Sequence, residues 1–453
     1  MNPGKRDNFG SKLGILAAAA GSAIGLGNIW RFPYETGENG GGAFLVVYLV
    51  FIFALGVPLM LSEFIIGRRA QRNPIGTFKK LAPGKPWHIV GLMGVAAAFM
   101  IFAFYGVVAG WTLEYIFQAV KNGFGGKDAT EITAMFEGFT QSSFKPIMWQ
   151  IIFMAMTAGI IMAGVKKGIE KYAKILMPVL LVIIIILCVR SVTLPGAEKG
   201  LAFLFKPDFS KINGDVILSA LGQAFFSLSL GMGTMITYGS YISKKDNLPN
   251  TAIQVSIIDT LIAILAGVAI FPAVFAFGID PAAGEGLIFI TLPNIFQQMP
   301  GGYIFALLFF VLIGVAALTS TISLLEVIVA YFTEELKISR KKATVLSATG
   351  ILFLGVLCSL SRGEIEGFTI FGLNIFSLFD YISANLLLPI GGLCIVVFVG
   401  WQLKKKDIYD EFSSGGTFKA RFFPAYMFIV KFIAPIAIAI VFLNAIGLIN
   451  LSS

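Results

Sequence analysis

The sequence predicts an all-α integral membrane protein of eleven transmembrane helices, arranged as a five-plus-five inverted repeat. Three observations predict it. The composition cannot cover a water-facing surface: of 453 residues, 57 % are hydrophobic and only 13 % charged, with a mean hydropathy of +0.85, whereas a soluble domain carries about 25 % charged residues. The apolar runs reach the roughly 20 residues that a helix needs to cross a bilayer, far beyond the roughly ten-residue alternating strands of a membrane β-barrel. Two of the runs, the first and the sixth, are interrupted at mid-length by glycine.

The first span, 12–36, follows a charged start bearing Lys5, Arg6 and Lys12; no small-residue cleavage site follows it, so it reads as a true span and not a removed signal peptide. The second, 42–67, ends on Arg68 and Arg69, and the loop behind it adds Arg72, Lys79, Lys80 and Lys85. The third, 87–120, opens beside His88 and closes at Lys121. The fourth, 146–165, runs from Lys145 to Lys166 and Lys167; the fifth, 170–193, opens with Lys171 and Lys174 and passes Arg190. The sixth, 214–241, stops at Lys244 and Lys245, and the seventh covers 251–277. The loop after it, GEGLIFITLPNIFQQMPGGY, is apolar although placed outside, and reads as a lid dipping into the outer vestibule. The eighth, 302–332, ends before Lys337, Arg340, Lys341 and Lys342; the ninth is 343–361; the tenth, 371–402, ends at Lys404, Lys405 and Lys406; the eleventh is 423–449.

With the N-terminus in the cytoplasm, most of the 34 Lys and Arg residues fall on the inner loops, as the positive-inside rule requires. This predicts a cell (inner) membrane protein with an extracytoplasmic C-terminus. The net charge of +9 is then a topology signal and a lipid-headgroup contact, so the bilayer is the expected partner and nucleic acid is not. Only Arg31 and Lys431 fall to neither side, each lying within a span away from its charged ends. The three cysteines, Cys188, Cys358 and Cys394, stand singly in apolar runs and read as small buried hydrophobes. One loop-edge histidine, His88, builds neither a zinc site nor a serine triad, so no enzyme is expected.

The first break reads AAAAGSAIGLGNIWRFP, with Gly21, Gly25 and Gly27; the sixth span reads GQAFFSLSLGMGTMITY, with Ser227, Ser229, Gly231 and Gly233. Each glycine costs a helix about 1 kcal/mol relative to alanine, and freed backbone is not tolerated against lipid. Close packing of helices through small residues is one reading. The other is backbone turned toward a ligand. The two breaks occupy corresponding positions of two five-span halves, 12–193 and 214–402, with 423–449 as an added helix. Because five is odd, the second half is inverted, and paired broken helices in inverted halves point to a secondary transporter's central site.

The sequence resembles the neurotransmitter:sodium symporter family, particularly its bacterial hydrophobic amino-acid transporters of the leucine-transporter-like fold. The stretches that carry this are AGSAIGLGNIWRFPYETGENGGGAF, FYGVVAGWTLEY, GIEKYAKILMP, GQAFFSLSLGMGTMITYGSY and AALTSTIS, in order along essentially the whole chain. The family's usual twelfth span has no counterpart here, and nothing in the sequence sets an oligomeric state. The resemblance implies that the amides of Leu26 and Gly27 and the Tyr105 hydroxyl hold a substrate carboxylate. The carbonyls of Ala23, Phe226 and Ser227, with the Ser229 hydroxyl, would take the ammonium. Gly25 stands where monoamine-carrying relatives have aspartate, so the substrate should bring its own carboxylate. Ile101, Phe226, Met232, Ser320 and Leu324 would form an uncharged side-chain pocket. Read without the family, Tyr105 and Met232 are equally ordinary packing residues.

Two sodium ions are implied. The first would use the Ala23 and Ser227 carbonyls, the Ser227 hydroxyl, Asn28, Asp259 and the substrate carboxylate. The second would use the carbonyls of Gly21, Ile24 and Ala316 with the hydroxyls of Thr319 and Ser320, although hydroxyls in spans also bond their own helix. Asp259 replaces the family's common asparagine, and its fixed charge implies chloride-independent transport, with protonation of Asp259 in the return step. Arg31 and Asp380, with Phe226 as an aromatic lid, match the outer gate. Arg6 and Glu334, with Tyr241 nearby, match the cytoplasmic gate, with glutamate for the usual aspartate. Glu63 would support the broken backbone of the sixth span. Gly168 and Pro178 would let the start of the fifth span unwind, or mark a simple kink. The implied function is sodium-coupled import of hydrophobic amino acids by alternating access. A non-transporting sensor of the same fold and an ion channel are the competing readings.

Overall fold

The computed structural model describes residues 8–280, 286–445 and 448–449. They are helical apart from loops and one isolated bridge between Ile370 and Leu373. Nine helices among them are long and apolar enough to cross a membrane: Gly42–Ala70, His88–Val120, Lys145–Met162, Val165–Val192, Leu248–Ala276, Gly302–Glu335, Arg340–Leu360, Ile375–Gln402 and Phe423–Asn444. Each coincides with an expected span. The first span is a bent pair, Lys12–Ala23 and Gly27–Glu38, turning by 49°. The sixth is Gly214–Ser227 and Thr234–Gly239, separated by 228–233. At 1.5 Å per residue these halves reach only about 21 and 9 Å, so neither crosses a bilayer alone.

The local causes of the two breaks differ. In the first, Ile24 leaves the helical region with ψ 107°. In the sixth, Ser229, Gly231 and Gly233 all take positive φ, at 53°, 79° and 76°. Glycine adopts this conformation freely, and a Cβ at Gly231 would meet the Leu388 backbone at 3.1 Å and closer. Ser229 has no such freedom. Its hydroxyl donates to the Ser22 carbonyl at 3.0 Å, which ties the two breaks together.

The outer surface suits lipid. The fifth span exposes Ile175, Val179, Val182, Ile186 and Val189 at helical spacing, an apolar stripe that water would not tolerate. At the end carrying the basic loops, the buried Arg68 donates through Nε to Glu411 at 2.7 Å, Arg69 pairs with Asp407 at 2.7 Å, and Lys244 pairs with Asp410 at 2.5 Å. These pairs tie the second span and the loop after the sixth to a short helix, Lys405–Phe412.

Further short helices lie at Pro74–Leu81, Ala129–Thr140, Ala197–Phe205 and Leu292–Gln298. A length criterion set for crossing a bilayer does not detect them. Caps mark two of them: Asn73 accepts from the Gly76 N–H, and Asp128 and Glu131 form a capping box. The apolar loop expected as a vestibule lid is packed inward. Of that segment, Gly284 and Glu285 lie outside the described residues. The remainder wedges against the third span, with Phe289 5.7 Å from the Trp111 ring and 5.1 Å from Tyr115. It does not line the recess beside Arg31, which is bounded by residues such as Leu218, Tyr381 and Phe442.

Candidate functional site

Breaking a helix frees N–H and C=O groups that lipid cannot satisfy. Side chains, most of them from other spans, meet them here. The Leu26 N–H donates to the Tyr105 hydroxyl at 2.8 Å, and the Gly25 N–H to Asn28 Oδ1 at 3.0 Å. Gln223 Nε2 donates to the Gly27 carbonyl at 2.7 Å. The Gly231 N–H donates to Glu63 Oε1 at 2.8 Å, the support expected of Glu63. Glu63 is wholly buried, and an unmet buried donor costs about 1–3 kcal/mol. Glu63→Ala therefore lowers the thermal unfolding temperature in detergent, while Glu63→Gln keeps an acceptor and recovers most of the loss.

A narrow cavity of about 20 Å3 lies between the breaks. Ala23, Gly25 and Gly27 line it from the first span, Phe226, Ser229 and Met232 from the sixth, Ile101 and Tyr105 from the third, and Ser320 and Leu324 from the eighth. Among the described residues, no charged side chain lines it. A Cβ built on Gly25 would stand 2.7 Å from the Tyr105 hydroxyl and closer still to that of Ser320. The cavity thus has no room for a side chain at Gly25 without a shift of Ser320 or Tyr105. Leu26 and Ser227 sit beside the cavity and do not line it. The Phe226 carbonyl, expected to be free, already accepts from the Ser229 N–H at 3.1 Å.

Two oxygen-rich clusters flank the cavity. In the first, Asn28 Nδ2 donates to Asp259 Oδ1 at 2.7 Å and to Ser227 Oγ at 3.1 Å, and Ser227 Oγ donates to Asp259 Oδ2 at 2.8 Å. Tyr48 adds a hydroxyl, donating to Ser227 Oγ at 3.2 Å. Asn28, Ser227 and Asp259 are all fully buried. In the second, Thr319 Oγ1 donates to the Ala316 carbonyl at 2.9 Å and the Ile24 carbonyl at 3.2 Å, and Ser320 Oγ reaches the Ser22 carbonyl at 3.2 Å and the Ile24 carbonyl at 3.4 Å. Gly21 packs against Thr319, whose Cβ would lie 3.4 Å from a Cβ at Gly21. Both readings of the hydroxyls are therefore present at Thr319: it bonds its own helix and also reaches across to the first break.

Above the cavity, Arg31 Nη1 lies 3.8 Å from Asp380 Oδ1, and its guanidinium sits 4.8 Å from the centre of the Phe226 ring. Glu35, one turn on, is a second partner at 3.4 Å. Below, Arg6 lies outside the described residues. Glu334 accepts from the Asn73 N–H at 2.8 Å and its Nδ2 at 3.0 Å. The Tyr241 hydroxyl donates to Glu326 at 2.6 Å, and Glu326 is also paired with Arg340. The Phe9 N–H donates to the Tyr241 carbonyl at 3.2 Å, while the Gly10 N–H donates to Glu170 at 2.6 Å, which seats the N-terminal segment under the bundle. The start of the fifth span, Val165–Glu170, is a wide helical turn containing Gly168, and Pro178 stands inside the helix Lys171–Val192.

Sequence reasoning overlooked Ser22 and Thr234 in the cavity wall, and Tyr48, Gln223, Glu35 and Glu326 around it. Glu35 carries a signal, its spacing of four from Arg31. Glu326 carries another, as an acid inside the eighth span.

The Sodium:neurotransmitter symporter family matches residues 6–134 and 129–452. An uncharacterized sodium-dependent transporter, YhdH, of Bacillus subtilis (strain 168) is 41 % identical over 450 residues, covering 99 % of this chain and 100 % of that protein. An uncharacterized sodium-dependent transporter of Haemophilus influenzae is 39 % identical over 457 residues, covering 98 % and 99 %. Among solved structures, MhsT in complex with L-phenylalanine superposes with a TM-score of 0.91 at 50 % identity, covering 97 % of this chain and 100 % of that one.

Proposed function

Because this chain belongs to the sodium:neurotransmitter symporter family, and so is a multi-pass sodium-dependent membrane transporter and not an enzyme, we propose that it imports hydrophobic L-amino acids together with sodium by alternating access. The observation that carries this reading is the cavity between the two helix breaks, uncharged along its wall and bordered by main-chain polar groups. The N–H groups of Leu26 and Gly27 and the Tyr105 hydroxyl receive the carboxylate at the exposed start of a half-helix, where the backbone dipole favours an anion. The Leu26 N–H and the Tyr105 hydroxyl bond one another in this structure, and both turn to the carboxylate when it arrives. The Ala23, Phe226 and Ser227 carbonyls and the Ser229 hydroxyl take the ammonium.

Ile101, Phe226, Met232, Ser320 and Leu324 set the side-chain preference. A charged side chain there would be buried without a partner at several kcal/mol. The flexible Met232 adapts the wall to aromatic and branched aliphatic groups. The L-phenylalanine of the similar MhsT structure supports this class of substrate.

Two sodium ions travel with the substrate. The first is held by Ala23, Asn28, Ser227 and Asp259 and shares the substrate carboxylate, so ion and amino acid bind as a unit. The Asp259 carboxylate supplies the anion at this position, so transport does not need chloride. The second is held by Gly21, Ile24, Ala316, Thr319 and Ser320, whose hydroxyls rotate their protons away from the carbonyls they now bond. Each inward sodium supplies about 2.3 kcal/mol per 100 mV of membrane potential, plus its concentration gradient. Arg31, Asp380 and Phe226 close the outer path. Arg6, Glu334 and Tyr241 close the inner one, and the turn between Gly168 and Pro178 opens it. The basic loops and the N-terminus face the cytoplasm.

Uptake into proteoliposomes under an inward sodium gradient tests this. L-Phenylalanine and L-leucine accumulate, equally well in chloride and in gluconate, and aspartate and lysine are excluded by about a hundredfold or more. Loss of uptake without chloride, or equal uptake of lysine, contradicts the reading.

A further inference from the structure

Lys431 is a cation inside the eleventh span, and among the described residues it forms no ion pair. Its ammonium lies 5.4 Å from the centre of the Trp401 ring, and the Trp401 indole N–H donates to the Lys431 carbonyl at 3.2 Å. That bond sets the depth of the lysine. Trp401 ends the helix Ile375–Gln402, and the exposed Lys404, Lys405 and Lys406 follow it directly. Lys431, eight residues into its own helix by count, is therefore level with the basic end of the bundle and not with the bilayer centre.

The surroundings form a seat. A Cβ at Gly400 would press on the Lys431 stem, 3.2 Å from Cγ, so glycine leaves room for the lysine to lie along the tenth span. Lys85 Nζ donates to Gln402 Oε1 at 3.0 Å, bringing a second cation beside Trp401. Trp401, Phe428 and Phe432 are 61, 57 and 45 % exposed on the same face. A tryptophan and phenylalanines below a ring of lysines match the interface between acyl chains and headgroups.

We propose that this face binds an anionic phospholipid, with its phosphate between Lys431 and Lys85 and its acyl chains on Trp401, Phe428 and Phe432. Charge complementarity selects the occupant. The seat offers cations and a donor amide with no carboxylate on Lys431, and the inner leaflet supplies anionic headgroups at this depth. A solvated free phosphate would gain nothing from the exposed aromatic rings. A second copy of the chain would bring its own lysines against these.

Native mass spectrometry of the full-length protein, titrated with phosphatidylglycerol and with phosphatidylethanolamine of the same acyl chains, tests the site. The wild type retains phosphatidylglycerol in clear preference. Lys431→Gln lowers its affinity about fivefold, Lys431→Arg does not, and Lys199→Gln in the short helix Ala197–Phe205 is silent. Equal retention of the two lipids by the wild type overturns the proposal independently of any variant. So does an unchanged affinity in Lys431→Gln, equal binding of glycerol phosphate without acyl chains, or a change in Lys431→Gln of the dimer population alone.

Discussion

Gly25→Ala lowers the affinity for L-phenylalanine by about 10- to 100-fold while leaving the protein folded. The added methyl would stand 2.7 Å from the Tyr105 hydroxyl and closer to the Ser320 hydroxyl, where the substrate's polar end is proposed to sit. Overpacking a filled site costs about 1–3 kcal/mol, and each 1.4 kcal/mol is tenfold in affinity. The clash is with two side-chain hydroxyls, not with backbone, so the empty protein relaxes by moving Ser320. That motion narrows the cavity further. Equilibrium binding of the labelled amino acid, beside thermal unfolding of the same preparation, separates the two effects. Unchanged affinity means that the substrate does not occupy this cavity.

Asp259→Ala raises the half-saturating sodium concentration at least about a hundredfold. The carboxylate is fully buried, and it accepts from Asn28 Nδ2 at 2.7 Å and Ser227 Oγ at 2.8 Å. Removing one member of a buried charged set costs about 3–5 kcal/mol, here both as lost attraction for the cation and as two orphaned donors. Asp259→Asn separates these contributions. It keeps the shape and one acceptor but removes the fixed charge, so chloride added to a gluconate medium stimulates uptake by this variant and leaves the wild type unaffected. If the asparagine variant ignores chloride, the carboxylate does not serve as the anion beside sodium.

How far the sequence went is clearest at particular residues. The spans were legible because bilayer thickness imposes a length on apolar helices, and chains such as 302–332 have no soluble alternative. The two breaks were legible because glycine is costly inside helices: Gly231 and Gly233 do adopt positive φ, and Glu63 does meet the freed backbone. Short helices such as Lys405–Phe412 fall below any bilayer-length signal. The apolar loop after the seventh span showed burial through its hydrophobicity but not against what; its Phe289 is buried against Trp111 and Tyr115.

The site divides in the same way. Thr319 and Ser320 carry no local mark of a ligand, since a hydroxyl in a helix ordinarily bonds its own backbone; only the family resemblance singled them out. Tyr48 and Gln223 were invisible because their partners, Ser227 and Gly27, are 179 and 196 residues away. Tyr241 was expected near the pair of Arg6 and Glu334, and its hydroxyl also bonds Glu326, a partner the sequence did not single out. Glu326, Glu334 and Glu335 all lie on the helix Gly302–Glu335, and sequence spacing alone does not say which of them faces the sixth span.

The central claim is that two interrupted helices hold an amino acid and a sodium ion as one unit. Titrating the purified protein calorimetrically with L-phenylalanine, in sodium buffer and again in potassium buffer, tests it most directly. The account predicts saturable one-site binding in sodium and none in potassium, with sodium affinity rising when the amino acid is present. Equal binding in potassium, or no binding of any hydrophobic amino acid in sodium, would contradict it.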